Sequence, residues 1–144
     1  MASLRRSALT LRVMGDELVP SDISDLLGCL PTSSYSNGEE RVGKVSGQKS
    51  VAKLGNWLLR ASPREPENID GQITELLDRL TEDFEVWRTV SRDYSVSLFC
   101  GLFMGSWNDG ATISVDSLTA LASRGIRLEL DIYGSADGEA DVQQ

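Results

Sequence analysis

Residues 94–105 read Tyr-Ser-Val-Ser-Leu-Phe-Cys-Gly-Leu-Phe-Met-Gly, the most apolar run in the chain. Up to Leu98 the pattern alternates, with Tyr94, Val96 and Leu98 on one side and Ser95 and Ser97 on the other. From Leu98 to Met104 it is continuous apart from Gly101. Alternation means one buried face; a continuous run means burial on both faces, or nearly so. The aromatic and β-branched residues favour strand over helix. Glycine inside such a strand marks a bulge or a close backbone approach. The run is too short to cross a bilayer, so the Gly101–Gly105 spacing is not a membrane-helix contact. The expectation is a central strand that the rest of the chain packs around.

Other segments supply the partners of that strand. Residues 8–14 alternate, with Leu9, Leu11 and Val13 on one face, and predict a first strand. Pro20 suits a helix start, Ile23, Leu26 and Leu27 form its apolar face, and Gly28 ends it. Residues 32–36 predict an edge strand and residues 54–61 another, with Trp57 and Leu59 on one side and Asn56, Leu58 and Arg60 on the other. Between them, residues 37–53 are rich in Gly, Ser, Lys and Glu and read as a solvated hairpin tip or a ligand-binding loop. Asn68 caps a second helix whose face is Ile69, Ile73, Leu76, Leu77 and Leu80, with Glu75 and Arg79 placed to pair on its polar side. Residues 83–92 continue helically, with Phe84 and Trp87 turned inward. Ser114 caps a later helix with Leu118, Leu121 and Ala122 as its buried stripe, and residues 126–133 alternate as the last strand.

The order β-α-β-β-α-β-α-β predicts one α+β domain over residues 8–134. It is an antiparallel or mixed sheet of about five strands with helices packed on one face, and its first six elements are ferredoxin-like. Residues 1–7 read as a flexible lead-in and residues 135–144 as a disordered acidic tail. Arg5 and Arg6 precede no apolar stretch long enough for a signal peptide, so the expected location is cytoplasmic.

Several segments resemble one family. Gly15-Asp16-Glu17-Leu18-Val19-Pro20, Ile23-Ser24-Asp25-Leu26-Leu27-Gly28 and Pro31-Thr32 resemble the opening of domain of unknown function family 4279, made up of small, mainly bacterial, uncharacterised proteins. Asn56-Trp57 with Arg60-Ala61-Ser62 resembles its tryptophan-bearing strand, residues 69–80 its central helix, and Leu130-Asp131-Ile132-Tyr133 its closing strand. The likeness covers about residues 9–134. Val19 departs from it where an acidic or polar residue makes a better helix cap. The resemblance implies no activity and no catalytic residues.

Composition narrows the chemistry. The net charge of −8 repels phosphate backbones, so nucleic acid is not an expected partner. There is no histidine, which removes the Ser-His-Asp triad, the Cys-His dyad and imidazole metal ligation. Cys29 and Cys100 match no metal or redox spacing and read as small buried hydrophobes. No phosphate-binding glycine loop is present. No catalytic residue, metal or cofactor is therefore expected.

The residues that could carry a binding role are Asp16, Glu17, Asn56, Trp57, Trp107, Asn108 and Asp131. Asp16 and Glu17 stand on a strand-to-helix loop, where they either favour the helix start or meet a cation. Asp131 lies inside an alternating strand and must be paired if its face is covered. Trp107 in a turn is either a hot spot or a cap on the core, and Trp57 is the better core candidate. The reading is a non-catalytic interaction module with a protein partner, immunity-type or adaptor in role. The alternative is a small-ligand sensor or carboxylate-dependent enzyme using Asp16, Asn56 and Asp131. A self-associating protein would need an uncovered apolar face or edge strand.

Overall fold

A computed structural model describes residues 2–135. The expected tail therefore lies outside the described residues from position 136 onward. The main sheet has five strands: β2 (Arg6–Gly15), β3 (Ser33–Tyr35), β6 (Gly55–Arg60), β7 (Ser95–Phe103) and β9 (Arg127–Tyr133). Their spatial order is β3-β6-β2-β7-β9. All neighbours are antiparallel except β7 and β9, which run parallel. Two small pairs flank it: β1 (Ala2–Ser3) with β8 (Asp109–Gly110), and β4 (Glu40–Val42) with β5 (Lys49–Val51). The helices are α1 (Pro20–Leu27), α2 (Ile69–Leu77), α3 (Phe84–Asp93) and α4 (Val115–Ser123). The chain is a single α+β domain with a mixed sheet.

The middle strand is β2, and the apolar run β7 lies beside it. Along β2, Ser7, Leu9, Leu11 and Val13 are buried, whereas Ala8, Thr10, Arg12 and Met14 are half-buried. The buried set meets Trp57 and Leu59 of β6, Leu98, Cys100 and Leu102 of β7, and the helices' Ile23, Leu27, Ile73, Leu76, Trp87 and Leu121. All four helices thus cover one face. Both buried indoles find acceptors: Trp57 Nε1 donates to Ser24 Oγ at 3.0 Å, and Trp87 Nε1 to the Thr81 carbonyl at 2.8 Å. That satisfies the one polar atom each carries into the core.

A buried polar cluster joins the start of β2 to α2. Gln72 is fully buried; its Nε2 donates to the Ser7 and Ser62 carbonyls at 3.0 Å each, and its Oε1 accepts from Ser7 Oγ at 2.5 Å. Ser7 Oγ in turn accepts from the Asn68 amide, beside the helix cap. Residues 2–7 are therefore placed by pairing and burial where a loose lead-in was expected. Ala2 and Ser3 pair with β8, Leu4 is buried, and β2 begins at Arg6.

Several local expectations are revised. Glu75 does not pair with Arg79; its carboxylate accepts from Arg64 and from the Ser62 amide, at 2.8 and 2.7 Å, and so fixes the connector before α2. Phe84 is not turned inward but lies on the surface under the Arg124 guanidinium, 5.1 Å from its centre. In α4 the buried residues are Ser117 and Leu121, while Leu118 and Ala122 are exposed. The helix is rotated because Ser117 Oγ and the Ser114 amide both donate to Asp70 of α2, at 2.6 and 3.0 Å. Gly101 marks no bulge, since pairing with β2 is unbroken from Phe103 to Ser95. An added Cβ there would meet only ordinary contacts, the nearest at 3.5 Å.

The Gln72 cluster yields a test. Gln72→Leu keeps the volume but removes the acceptor of the Ser7 hydroxyl and the donor to both the Ser7 and Ser62 carbonyls, and should cost about 2–3 kcal/mol. Urea denaturation should show a lower midpoint at unchanged slope; a midpoint equal to wild type would mean that the cluster contributes nothing.

Candidate functional site

The sheet face away from the helices has to meet solvent without their help. On it stand Arg12 and Arg6 of β2, Phe99 and Phe103 of β7, and Glu129 and Tyr133 of β9, brought level by register. The Arg12 guanidinium lies over the Phe99 ring at 4.4 Å and pairs with Glu129 at 3.6 Å. Arg6 lies over Phe103 at 5.0 Å, and Phe103 stacks on Tyr133 with centroids 4.8 Å apart. Cations laid flat on aromatic rings shield apolar surface while remaining hydrated. This layer runs from the middle of the open face to the end where β7 and β9 finish, and the two ends differ in character.

At one end β2 turns into α1. Gly55 lies against this turn so closely that a Cβ would meet the Leu18 carbonyl oxygen at 2.6 Å. Met14 and Asn56 are cross-strand partners here, and Tyr35 is the partner of Asn56 on the other side. The β4–β5 hairpin, within the loop expected over residues 37–53, stands beside them. Between hairpin and sheet is a cleft of about 330 Å³, lined by Met14, Arg41, Val51, Lys53, Leu54 and Asn56 among others. Asn56 is only 8 % exposed and its Oδ1 has no hydrogen-bond partner. Arg41 lies over Tyr35 at 5.5 Å, and its Nε is also buried without a partner. Asp16 and Glu17 are exposed on the nearby turn, where the Asp16 carbonyl accepts weakly from Asn37 at 3.5 Å, and neither lines the cleft.

At the other end, β7 leaves the sheet through residues 104–110. Asp109 holds this loop: its carboxylate accepts from the Gly105 and Ser106 amides at 2.6 and 2.9 Å and from Ser106 Oγ at 2.5 Å. The Ser106 hydroxyl and these amides hold the Asp109 carboxyl below the usual aspartate range. Trp107 stands on the loop 57 % exposed, with Asn108 exposed beside it. The Met104 amide donates to the Tyr133 carbonyl at 2.9 Å, tying the loop to the end of β9. There Leu130 and Ile132 are more than half exposed, because α4 covers only the start of the strand. Asp131 is half-buried on the open face and accepts from Tyr133 Oη at 2.6 Å; this bond raises the Tyr133 pKa.

The residues singled out from sequence therefore fall into two groups. Asn56 belongs to the hairpin end, with Asp16 and Glu17 near it, and Trp107, Asn108 and Asp131 to the opposite end. Asp131 pairs through Gly101 to Ala8, and Asp16 lies eight residues further along, roughly 26 Å at the rise of a strand. Trp57 is fully buried and serves the core. Arg41, Met14, Leu130, Ile132 and Tyr133 were not singled out. The polar-side placement of Asn56 and the basic hairpin were the available signals for the first two, whereas exposure of the others depends on how far α4 reaches.

Cys100 is buried and its thiol is pushed up to about 12 by desolvation, while half-buried Cys29 donates to the Leu30 carbonyl. Among the described residues no group of three or more His, Cys, Asp or Glu side chains could hold a metal ion, and no helix is long and apolar enough to cross a membrane.

The sequence pattern described as Domain of unknown function (DUF4279) matches residues 5–135, nearly the whole chain. The chain belongs to that family. No curated protein and no solved structure matches it. The DUF4279 match spans every strand of the main sheet and all four helices, so both ends of the open face lie within the family's unit.

The exposure of Trp107 is directly measurable. Trp57 and Trp87 are fully buried, so acrylamide should quench mainly Trp107. Trp107→Phe should lower the quenching constant several-fold; an unchanged constant would place Trp107 in the core.

Proposed function

We propose that this DUF4279 chain is a non-catalytic binding module whose contact surface for a protein partner is the Trp107 end of the sheet. The observation that carries this reading is a large aromatic ring more than half exposed on a loop that Asp109 fixes in place. A held aromatic loses little conformational freedom on binding, which is why Trp dominates interface hot spots. Leu130 and Ile132 at the same end add exposed apolar area on an edge strand whose outer side is unpaired among the described residues. An edge of this kind accepts an extended segment of another protein. An immunity-type or adaptor role is the form such a module would take. The rival small-ligand sensor or carboxylate-dependent enzyme draws on Asp16, Asn56 and Asp131, of which only Asn56 lines the hairpin cleft, while Asp131 on β9 stands toward the other end of the sheet.

Trp107→Ala provides the test. The ring lies outside the core, so stability should stay within about 0.5 kcal/mol of wild type. Capture of partner protein from native lysate should fall at least tenfold, as expected for loss of a hot spot. Equal recovery of the same protein by both forms would overturn the proposal.

A further inference from the structure

The cleft at the hairpin end carries a separate inference, independent of the Trp107 surface. We infer that it binds a small aliphatic carboxylate that also bears an N–H or O–H donor. The first support is Asn56. A buried side-chain acceptor without a partner costs about 1–3 kcal/mol, so native proteins rarely leave one unless something fills the role. Its Oδ1 has no donor within the protein, and the side chain lines the cleft.

The second support is charge. Residues 37–53 carry four cations against two carboxylates, on a chain of net charge −8. Both carboxylates are already engaged: Glu39 accepts from the Ser36 amide, and Glu40 pairs with Lys49. Among the described residues, Arg41 and Lys53 line the cleft with no ion pair of their own. A guanidinium is suited to a carboxylate, which its terminal Nη groups can meet with two parallel hydrogen bonds. The third support is shape. Met14, Val51 and Leu54 supply apolar wall, and about 330 Å³ is the low end of small-molecule sites. A branched chain of about six carbons fits that volume.

The test uses the full chain and four probes: 2-hydroxyisocaproate, L-leucine, isocaproate and 2-hydroxyisocaproamide. Binding is followed by amide NMR shifts of Met14, Asn56 and residues 50–54. At least one of the first two should bind at millimolar concentration or tighter and shift these amides. Isocaproate, which lacks the donor, should bind at least fivefold more weakly, and the uncharged amide at least tenfold more weakly. Arg41→Gln, on the hairpin and outside the core, should weaken carboxylate binding at least tenfold. Asn56→Leu should remove the difference between the hydroxy acid and isocaproate; if that variant does not fold, the Arg41→Gln result stands alone. No shift with either donor-bearing acid at 10 mM, or equal affinity for the acid and the amide, would overturn the inference. Trp107→Ala should leave this binding unchanged, so failure here and failure of the protein-partner reading are separable.

Discussion

Everything in this fold depends on the one-sided placement of its helices. With α1 to α4 all on one face, every second residue of β2 enters a packed core and every other one faces away from it. A five-stranded sheet cannot leave its second face apolar and remain soluble, because a large exposed patch invites association. The chain meets this constraint with long side chains: Arg12 on Phe99, Arg6 on Phe103, and Glu129 drawn to both Arg12 and Arg127. Arginine stems and ring faces provide apolar cover while the charged groups stay wet. The middle of the face is thereby closed, and reactive or adhesive character is displaced to its ends.

Those ends differ because the strands differ in length and company. At the hairpin end, short β3 and β6 leave room for the basic β4–β5 arm, and a cleft forms beneath it. At the other end, β9 runs past the cover of α4, and the Asp109-held loop presents Trp107. One end holds a small cationic cleft; the other presents an exposed aromatic ring. On the proposed readings the first takes a small anion and the second a protein surface.

Much of the fold was legible because the relevant signals are local. Pro20 and Gly28 bound α1 at the expected positions, and Asn68 and Ser114 cap α2 and α4 as their side chains suggest. Alternation placed Trp57 and Leu59 inward and Asn56 outward, as observed. What could not be read was set by contacts distant in sequence. Asp70 rotates α4 by binding Ser117, which exposes Leu118 against its apolar pattern. Arg64 captures Glu75 from the helical partner four residues on. The buried Gln72 anchors the start of β2 inside the apparent lead-in, because Ser7 supplies both a carbonyl and a hydroxyl to it. The candidate site was split for the same reason: sequence spacing cannot show that Asp16 and Asp131 lie toward opposite ends of the sheet, with β7 between their strands.

The measurement that tests this account most directly is amide hydrogen exchange of the full chain, free and bound to the protein captured from its native lysate. The account predicts that binding slows exchange in residues 104–110 and along the outer edge of β9, and leaves the four helices unchanged. Protection concentrated on the outer surfaces of α1 to α4, with residues 104–110 exchanging as in the free protein, would contradict it.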